Sequence, residues 1–454
     1  FFCSLSTLDA RQLRFLEGQS VQPHYWSAPF RPQHLFTLVV AMSLAITVKA
    51  SQDHNHPPSS GNGNELREAQ HKHADSSDGW TFMQDGVVFV TFNRQAKPMG
   101  ATELGSQNWW MGMASRTAGN SLVTVRGMLS LEPLTLGGDG YSEIFQTGET
   151  YKDEALANRQ HPHDLGMQLT AAWHLPLSHR TSITVAGGPV GEATLGPVAF
   201  MHRLSAAANP FAPLGHHTFD STHIAKGVLG TRVDHGPLAV EASVFHGGEP
   251  DEHRWGIADV GPLDSWAVRV WLQPDAHWAF QVSHGFLKTP EAFEPGNLHR
   301  TTASVSWLTE SETGFSALTA GYGQNRRDHA GRFSDALFVE ASHRFSPHVI
   351  YGRFEAVDVE TGLLLGLPEH TGMDHAASVL ALTVGALRDL PQVRGFELGL
   401  GGDVTLHASP TPLAPTYGSR PVSFKIFLRL RPPVSPMGRM QNRTMMQPLM
   451  KAHP

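Results

Sequence analysis

The chain has 454 residues, with 34 Lys and Arg against 41 Asp and Glu, a formal net charge of -7 with histidine neutral. Hydrophobic residues make up 40% and charged residues only 17%, and the difference is taken by 44 Gly, 31 Pro and 27 His. So few charges exclude an ordinary disordered chain, the negative mean hydropathy excludes a bundle of membrane helices, and an acidic balance without a basic run excludes a nucleic-acid binder. Length alone would suit about two to four domains. The class that remains is a large β protein, soluble or membrane-embedded.

Residues 1–50 read as a leader and signal peptide. Leu35 to Val48 is an uncharged apolar run, too short for the roughly 20 residues of a membrane helix. Arg31 precedes it, and Val48-Lys49-Ala50 fits secretory cleavage after Ala50. The alternative is a buried strand or helix. Phe1–Gln33 reads as upstream sequence. Cys3 is the only cysteine, so cleavage leaves a chain without disulfides or cysteine-based metal or nucleophile sites, which fits a bacterial envelope protein.

Residues 51–79 form a polar arm, expected to be flexible, with His54, His56, His71 and His73. Neutral imidazoles in such an arm bind Cu, Zn or Ni without a preformed site. The arm resembles, in composition, the His-rich amino-terminal arms of envelope metal-handling proteins. The alternative is a solvated, pH-sensitive linker. No cofactor is required, and a transition metal of unknown identity is the one open option.

Residues 80–432 become short alternating segments broken by Gly, Pro, Asp and Asn. Val123, Val125, Gly127, Leu129 and Leu131 oppose Thr124, Arg126, Met128, Ser130 and Glu132. Trp266, Val268, Val270 and Leu272 oppose Ala267, Arg269, Trp271 and Gln273; Phe424, Ile426, Leu428 and Leu430 oppose Lys425, Phe427, Arg429 and Arg431. Successive strand side chains point to opposite faces, so each segment has an apolar and a polar side. A soluble sandwich also alternates. Polar faces of Gly, Ser, Thr, Arg and Glu suit a wetted lumen. Trp80, Trp109, Trp110, Trp173, Trp266, Trp278 and Trp307 near segment ends suit an interfacial girdle. Hairpins such as Trp266–Gln273 with Trp278–Phe286 follow one another. The expectation is all-β: one closed antiparallel transmembrane barrel of about 16 strands, in a range of about 14–18, with no open edge in lipid.

The chain thus resembles Gram-negative outer-membrane β-barrels of the porin type. That resemblance implies an outer-membrane location, lipid and small polar solutes or ions as partners, passive diffusion, and contact with the barrel-assembly machinery during biogenesis. Such barrels usually end in an aromatic residue. Here Ser423–Arg431 is followed by Pro432 and a Met-rich tail, 433–454, read as an extension or a different assembly signal.

Two groups of residues carry the functional expectation. Arg126, Glu132, Arg269, Glu340, Arg344, Arg353, Glu355 and Arg429 fall on inward faces and are expected to line the pore, giving a transverse field that orders water and steers solutes. His161, His163, Asp164, His216, His217, Asp220 and His223 flank a long irregular stretch beginning at Met201. Loops beyond about 12–15 residues are usually functional or disordered. These residues are expected to line one constriction or metal site, or else to bond loop carbonyls. The rival classes are a His-rich envelope β protein binding Cu, Zn or Ni, and a barrel hydrolase built on Ser221 with neighbouring His and Asp. No Gly-x-Ser-x-Gly elbow is present, so the chain is read as a non-enzyme.

Overall fold

A computed structural model describes residues 79–220, 225–248, 252–256, 260–290, 296–328, 333–367, 376–435 and 438–448. The leader and the His54, His56, His71 and His73 arm lie outside the described residues, as do Ser221 and His223.

The wall begins with β1 (Thr81–Arg94), which pairs with two successive pieces, β2 (Thr102–Gly105) and β3 (Asn108–Ala118), that make one crossing. β4 (Ser121–Leu129) follows. β5 (Tyr141–Tyr151) and β6 (Glu154–Gln160) pair only with each other, in the connection from β4 to β7 (Gly166–Pro176). The wall continues through β8 (Thr181–Gly191), β9 (Ala225–His235), β10 (Leu238–His246), β11 (Ser265–Leu272) and β12 (Trp278–Leu287). It is completed by β13 (Leu298–Ser311), β14 (Gly314–Arg327), β15 (Phe333–Phe345), β16 (His348–Glu360), β17 (Ala376–Val393), β18 (Phe396–Ala408) and β19 (Val422–Arg431). Each strand pairs antiparallel with the next, and β19 returns to β1 with Val88 opposite Leu430 and Arg94 opposite Phe424. With β2 and β3 counted as one crossing, this is a closed barrel of 16 strands.

Connections alternate between short turns and long loops, so the barrel has a short-turn mouth and a long-loop mouth. The β3–β4 turn needs only two residues because Gly119 takes φ +59°, which side chains disfavour. The turn between β11 and β12 is fixed by Asp275, whose carboxylate accepts the N–H groups of His277 and Trp278 at 2.8 and 2.9 Å.

Alternation decides the faces. Val240, Val268, Val270, Val282, Val384 and Leu428 are exposed on the outside, while Glu241, Arg269, Gln281 and Thr383 are buried inside. An apolar outer belt around a polar interior is the opposite of a soluble fold, and it places the barrel in lipid. Trp80, Trp173, Trp266 and Trp278 remain exposed on the outer surface. Trp109 does not join them: it is 7% exposed and packs inward, its ring centroid 5.0 Å from that of His202. It starts a strand whose odd positions face the lumen, and position in a segment does not reveal phase.

Besides the β5–β6 hairpin, whose Ile144 and Phe145 are buried in one cluster with Leu214 and Phe338, two insertions fill the lumen. The β8–β9 connection starts at Glu192, earlier than Met201, and residues 193–216 are almost all buried. The tail after Arg431 enters from the short-turn mouth, and Met440, Thr444, Met445 and Met446 are each at most 2% exposed. Phase along a strand shows neither insertion, because both depend on contacts across hundreds of residues.

Candidate functional site

The β8–β9 loop crosses the lumen on hydrogen bonds to the wall. Thr194 and Gly196 donate backbone N–H groups to Ser243 and Ser283, each at 2.9 Å. Ser205 donates to Thr319 at 2.8 Å and its carbonyl accepts from Ser342 at 2.9 Å. Arg353 donates to the Phe211 carbonyl at 3.1 Å, and Gly215 donates to Glu355 at 3.3 Å. A buried loop needs such partners for its backbone groups.

Arg203 is the centre of this crossing. Its guanidinium donates to Glu340 from Nε and Nη2 at 3.0 and 3.2 Å, and to Asp220 and the Val198 carbonyl from Nη1 at 3.0 and 2.7 Å. Glu340 also accepts from Arg353 Nε at 3.0 Å. Planar forks hold carboxylates in two directions, which fixes the loop against β15 and β16. Burial and the neighbouring Glu340 raise the Asp220 carboxyl to about 6, against the pull of Arg203.

A second network joins Arg269 to Glu241 at 2.5 Å and to Glu192 at 3.4 Å, with Arg232 on Glu241 at 2.6 Å. Glu192 accepts the Met445 N–H at 2.8 Å, so the tail and the loop share a carboxylate. Arg126 donates to the carbonyls of Met445 and Gln447, the latter at 2.8 Å. Asp85 holds Arg431 at 3.2 Å, Arg439 at 3.0 Å and the Met440 N–H at 2.9 Å. The Asn442 N–H donates to the His202 carbonyl at 2.7 Å.

Each residue of the pore-lining set has a definite place. Arg126, Arg269, Glu340, Arg353, Glu355 and Arg429 are buried on inward faces. Arg344 lies nearer the short-turn mouth, its side chain 37% exposed, sharing Asp389 with Arg429 at 2.7 Å each. Glu132 is a correction: β4 ends at Leu129, and Glu132 opens a short helix, Glu132–Thr135, in the long loop. Pro133 suits the first turn of that helix, where its missing N–H has no intrahelical partner to lose. Glu132 accepts the His163 N–H at 2.8 Å and the Asn108 N–H at 3.2 Å, and lies 2.9 Å from His163 Nδ1.

Four of the loop imidazoles come together. The His161 ring lies 5.8 Å from His216, 5.4 Å from His217 and 6.3 Å from His163, and His216 and His217 are 5.1 Å apart, all as centroids. Asp164 is paired with Arg254 at 3.1 Å. Among the described residues, no group of three or more His, Cys, Asp or Glu has metal-holding geometry. A cavity of about 40 Å³ remains beside the loop, bordered by Trp109, Glu132, Tyr141, His161, His163 and Met201. It is large enough for about one or two waters. Arg203, Glu192, Asp85 and Arg439 were not singled out by sequence; a lone cation in an apolar loop, as in Met201-His202-Arg203, is the available signal.

A closed 16-strand barrel with an apolar belt, a charged lumen and an infolded loop has the fold of porin-type transmembrane β-barrels. Among solved structures, OprB of Pseudomonas putida is similar at TM-score 0.50 and 11% identity, over 78% of this chain and 94% of that one. An anion-selective porin from Comamonas acidovorans is similar at TM-score 0.48 and 11% identity, over 78% and 100%. OmpF of Salmonella typhi, in a complex with daunomycin, is similar at TM-score 0.46 and 10% identity, over 78% and 98%. At these identities the likeness is one of fold alone, and OprB carries it. No protein-family model and no curated protein matches the chain.

Proposed function

We propose that the chain is an outer-membrane channel for passive diffusion of small polar solutes or ions, narrowed by the β8–β9 loop and stoppered from the short-turn mouth by its own tail. The observation that carries this is the infolded loop, held across the lumen by Arg203 on Glu340 and Asp220. A barrel that only needed a filled interior would not require a charged crossing; a mixed-sign constriction gives small hydrated ions a path and excludes larger solutes. The tail then sets the resting state, because it sits on Arg126, Glu192 and Asp85, three groups of the wall and loop. In the hydrolase reading Asp220 would orient a base, and here a guanidinium holds it.

The test is planar-bilayer conductance of the purified chain and of a chain ending at Pro433. The full chain is expected to conduct weakly and the truncated chain several-fold more. Absence of conductance in both would overturn the channel, and equal conductance would overturn the stopper.

A further inference from the structure

Methionine is concentrated at one place inside the barrel. Met83 stands opposite Met113 and Met111 opposite Met128, on the neighbouring strands β1, β3 and β4. Met167 follows on β7, the next strand of the wall. All five are at most 4% exposed and belong to one buried cluster. The two insertions each add another: Met440 of the tail is buried in the same cluster, and Met201 of the β8–β9 loop packs against it. Seven methionines from six separate segments therefore belong to, or pack on, one buried cluster in a space that porin-type barrels fill with polar side chains.

Their placement is pinned. Met440 is fixed by its N–H on Asp85, which lies opposite Met111 in the β1–β3 register. Asn442 ties the tail to the loop through the His202 carbonyl at 2.7 Å and the Leu204 N–H at 3.0 Å. The His202 ring rests on Trp109 of the cluster, and its buried Nδ1 has no hydrogen-bond partner among the described residues. A buried imidazole nitrogen ordinarily finds a partner. The cavity of about 40 Å³ is bordered by Trp109 and Met201 of this group, together with His161 and His163.

We propose that this methionine cluster, with His202 beside it, is a binding site for a soft monovalent cation of the Cu(I) or Ag(I) class. Thioethers are soft, polarisable ligands that favour such ions over Zn, Mg or Ca, and imidazole completes the set without adding charge. Uncharged ligands suit a monovalent ion in a low-dielectric interior, where carboxylates would already be taken by the arginines around them. The site is separate from the diffusion reading, since it concerns binding in the closed state.

The probe is silver nitrate, which is redox-silent, added in detergent to the full chain carrying Cys3→Ser, so that no thiol competes. X-ray absorption at the silver edge reports ligand type, and competition titration reports affinity. Bound silver with sulfur neighbours is expected. Residues 51–79 contain neither Met nor Cys, so sulfur ligation cannot come from the His-rich arm. Met111→Leu with Met128→Leu keeps volume and apolarity, and is expected to weaken binding at least tenfold and lower the number of sulfur neighbours in the spectrum. Met201→Leu, at a loop position only partly buried, gives the same reading if the double variant does not fold. Silver held by nitrogen and oxygen alone, or unchanged affinity in the variants, would show that the methionines only fill space, and would overturn the site. A channel that fails to conduct would leave this result untouched.

Discussion

Arg203 is buried at the centre of the barrel, and every polar atom around it comes from a different part of the chain: Glu340 from β15, Asp220 from the far end of its own loop, and Val198 from the near end. The pairing of Glu340 with Arg353 was legible, because adjacent inward positions on neighbouring strands follow from alternation. Arg203 was not, because its partner lies 137 residues away. Glu143, on the inserted β5, is a residue whose chemistry is strongly altered by its surroundings. Burial pushes its carboxyl up to about 8, against the attraction of Lys425 and with help from Glu355. Between the ordinary 4.5 and about 8 the folded chain keeps this proton while the unfolded chain has released it, so stability falls as pH rises through that window and levels off above it. Glu143→Gln carries a permanently neutral amide and is expected to flatten this decline. The midpoint of the heat-dependent gel shift, measured from pH 5 to pH 9, would read it; an unchanged slope would show that Glu143 is ionised at neutral pH.

At the scale of elements, alternation carried most of the wall, since a period of two is written in consecutive residues. The hairpin from Trp266 to Phe286 lies where the sequence places it, with Trp266 opposite Phe286 and Leu272 opposite Phe280. The phase of Trp109 and the end of β4 at Leu129 were harder, because an inward aromatic and an outward one look alike without their neighbours. The tail was the least legible element. Its methionines lack a strand or helix period, and its partners Asp85, Arg126 and Glu192 lie more than 250 residues earlier. Asp85 is the chief holder of its near end. Asp85→Asn keeps the shape but removes the charge facing Arg431 and Arg439. Hydrogen bonds to a charged group contribute about 1.5–3 kcal/mol, so the tail should leave its seat at least about tenfold more often. Limited trypsin digestion at Arg439 and Arg443 would report this as faster cleavage with the barrel intact. No acceleration would mean that Arg126 and Glu192 hold the tail without help.

At the scale of the whole molecule, the outer belt and the filled lumen divide the work of stability. Lipid takes Val240, Val268, Val270 and Leu428, while the interior is held by buried ion pairs and hydrogen bonds. Val268 lies midway along β11 on the outer face. Val268→Arg should cost about 2–4 kcal/mol if it faces the bilayer midplane. Urea titration of the chain refolded into vesicles would measure it. A loss under about 0.5 kcal/mol would place that face in water or against protein.

The seam between β1 and β19 has a kinetic consequence. It joins residues at least 330 positions apart, such as Arg94 and Phe424, and contacts of such long sequence separation form late. The tail is the continuation of β19, and its anchor Asp85 sits on β1 beside that seam. Its seat therefore exists only after the last strand has docked. Contacts made after the rate-limiting step slow unfolding and leave folding speed nearly untouched. The tail thus acts as a latch, lengthening the life of a finished barrel without helping to build it.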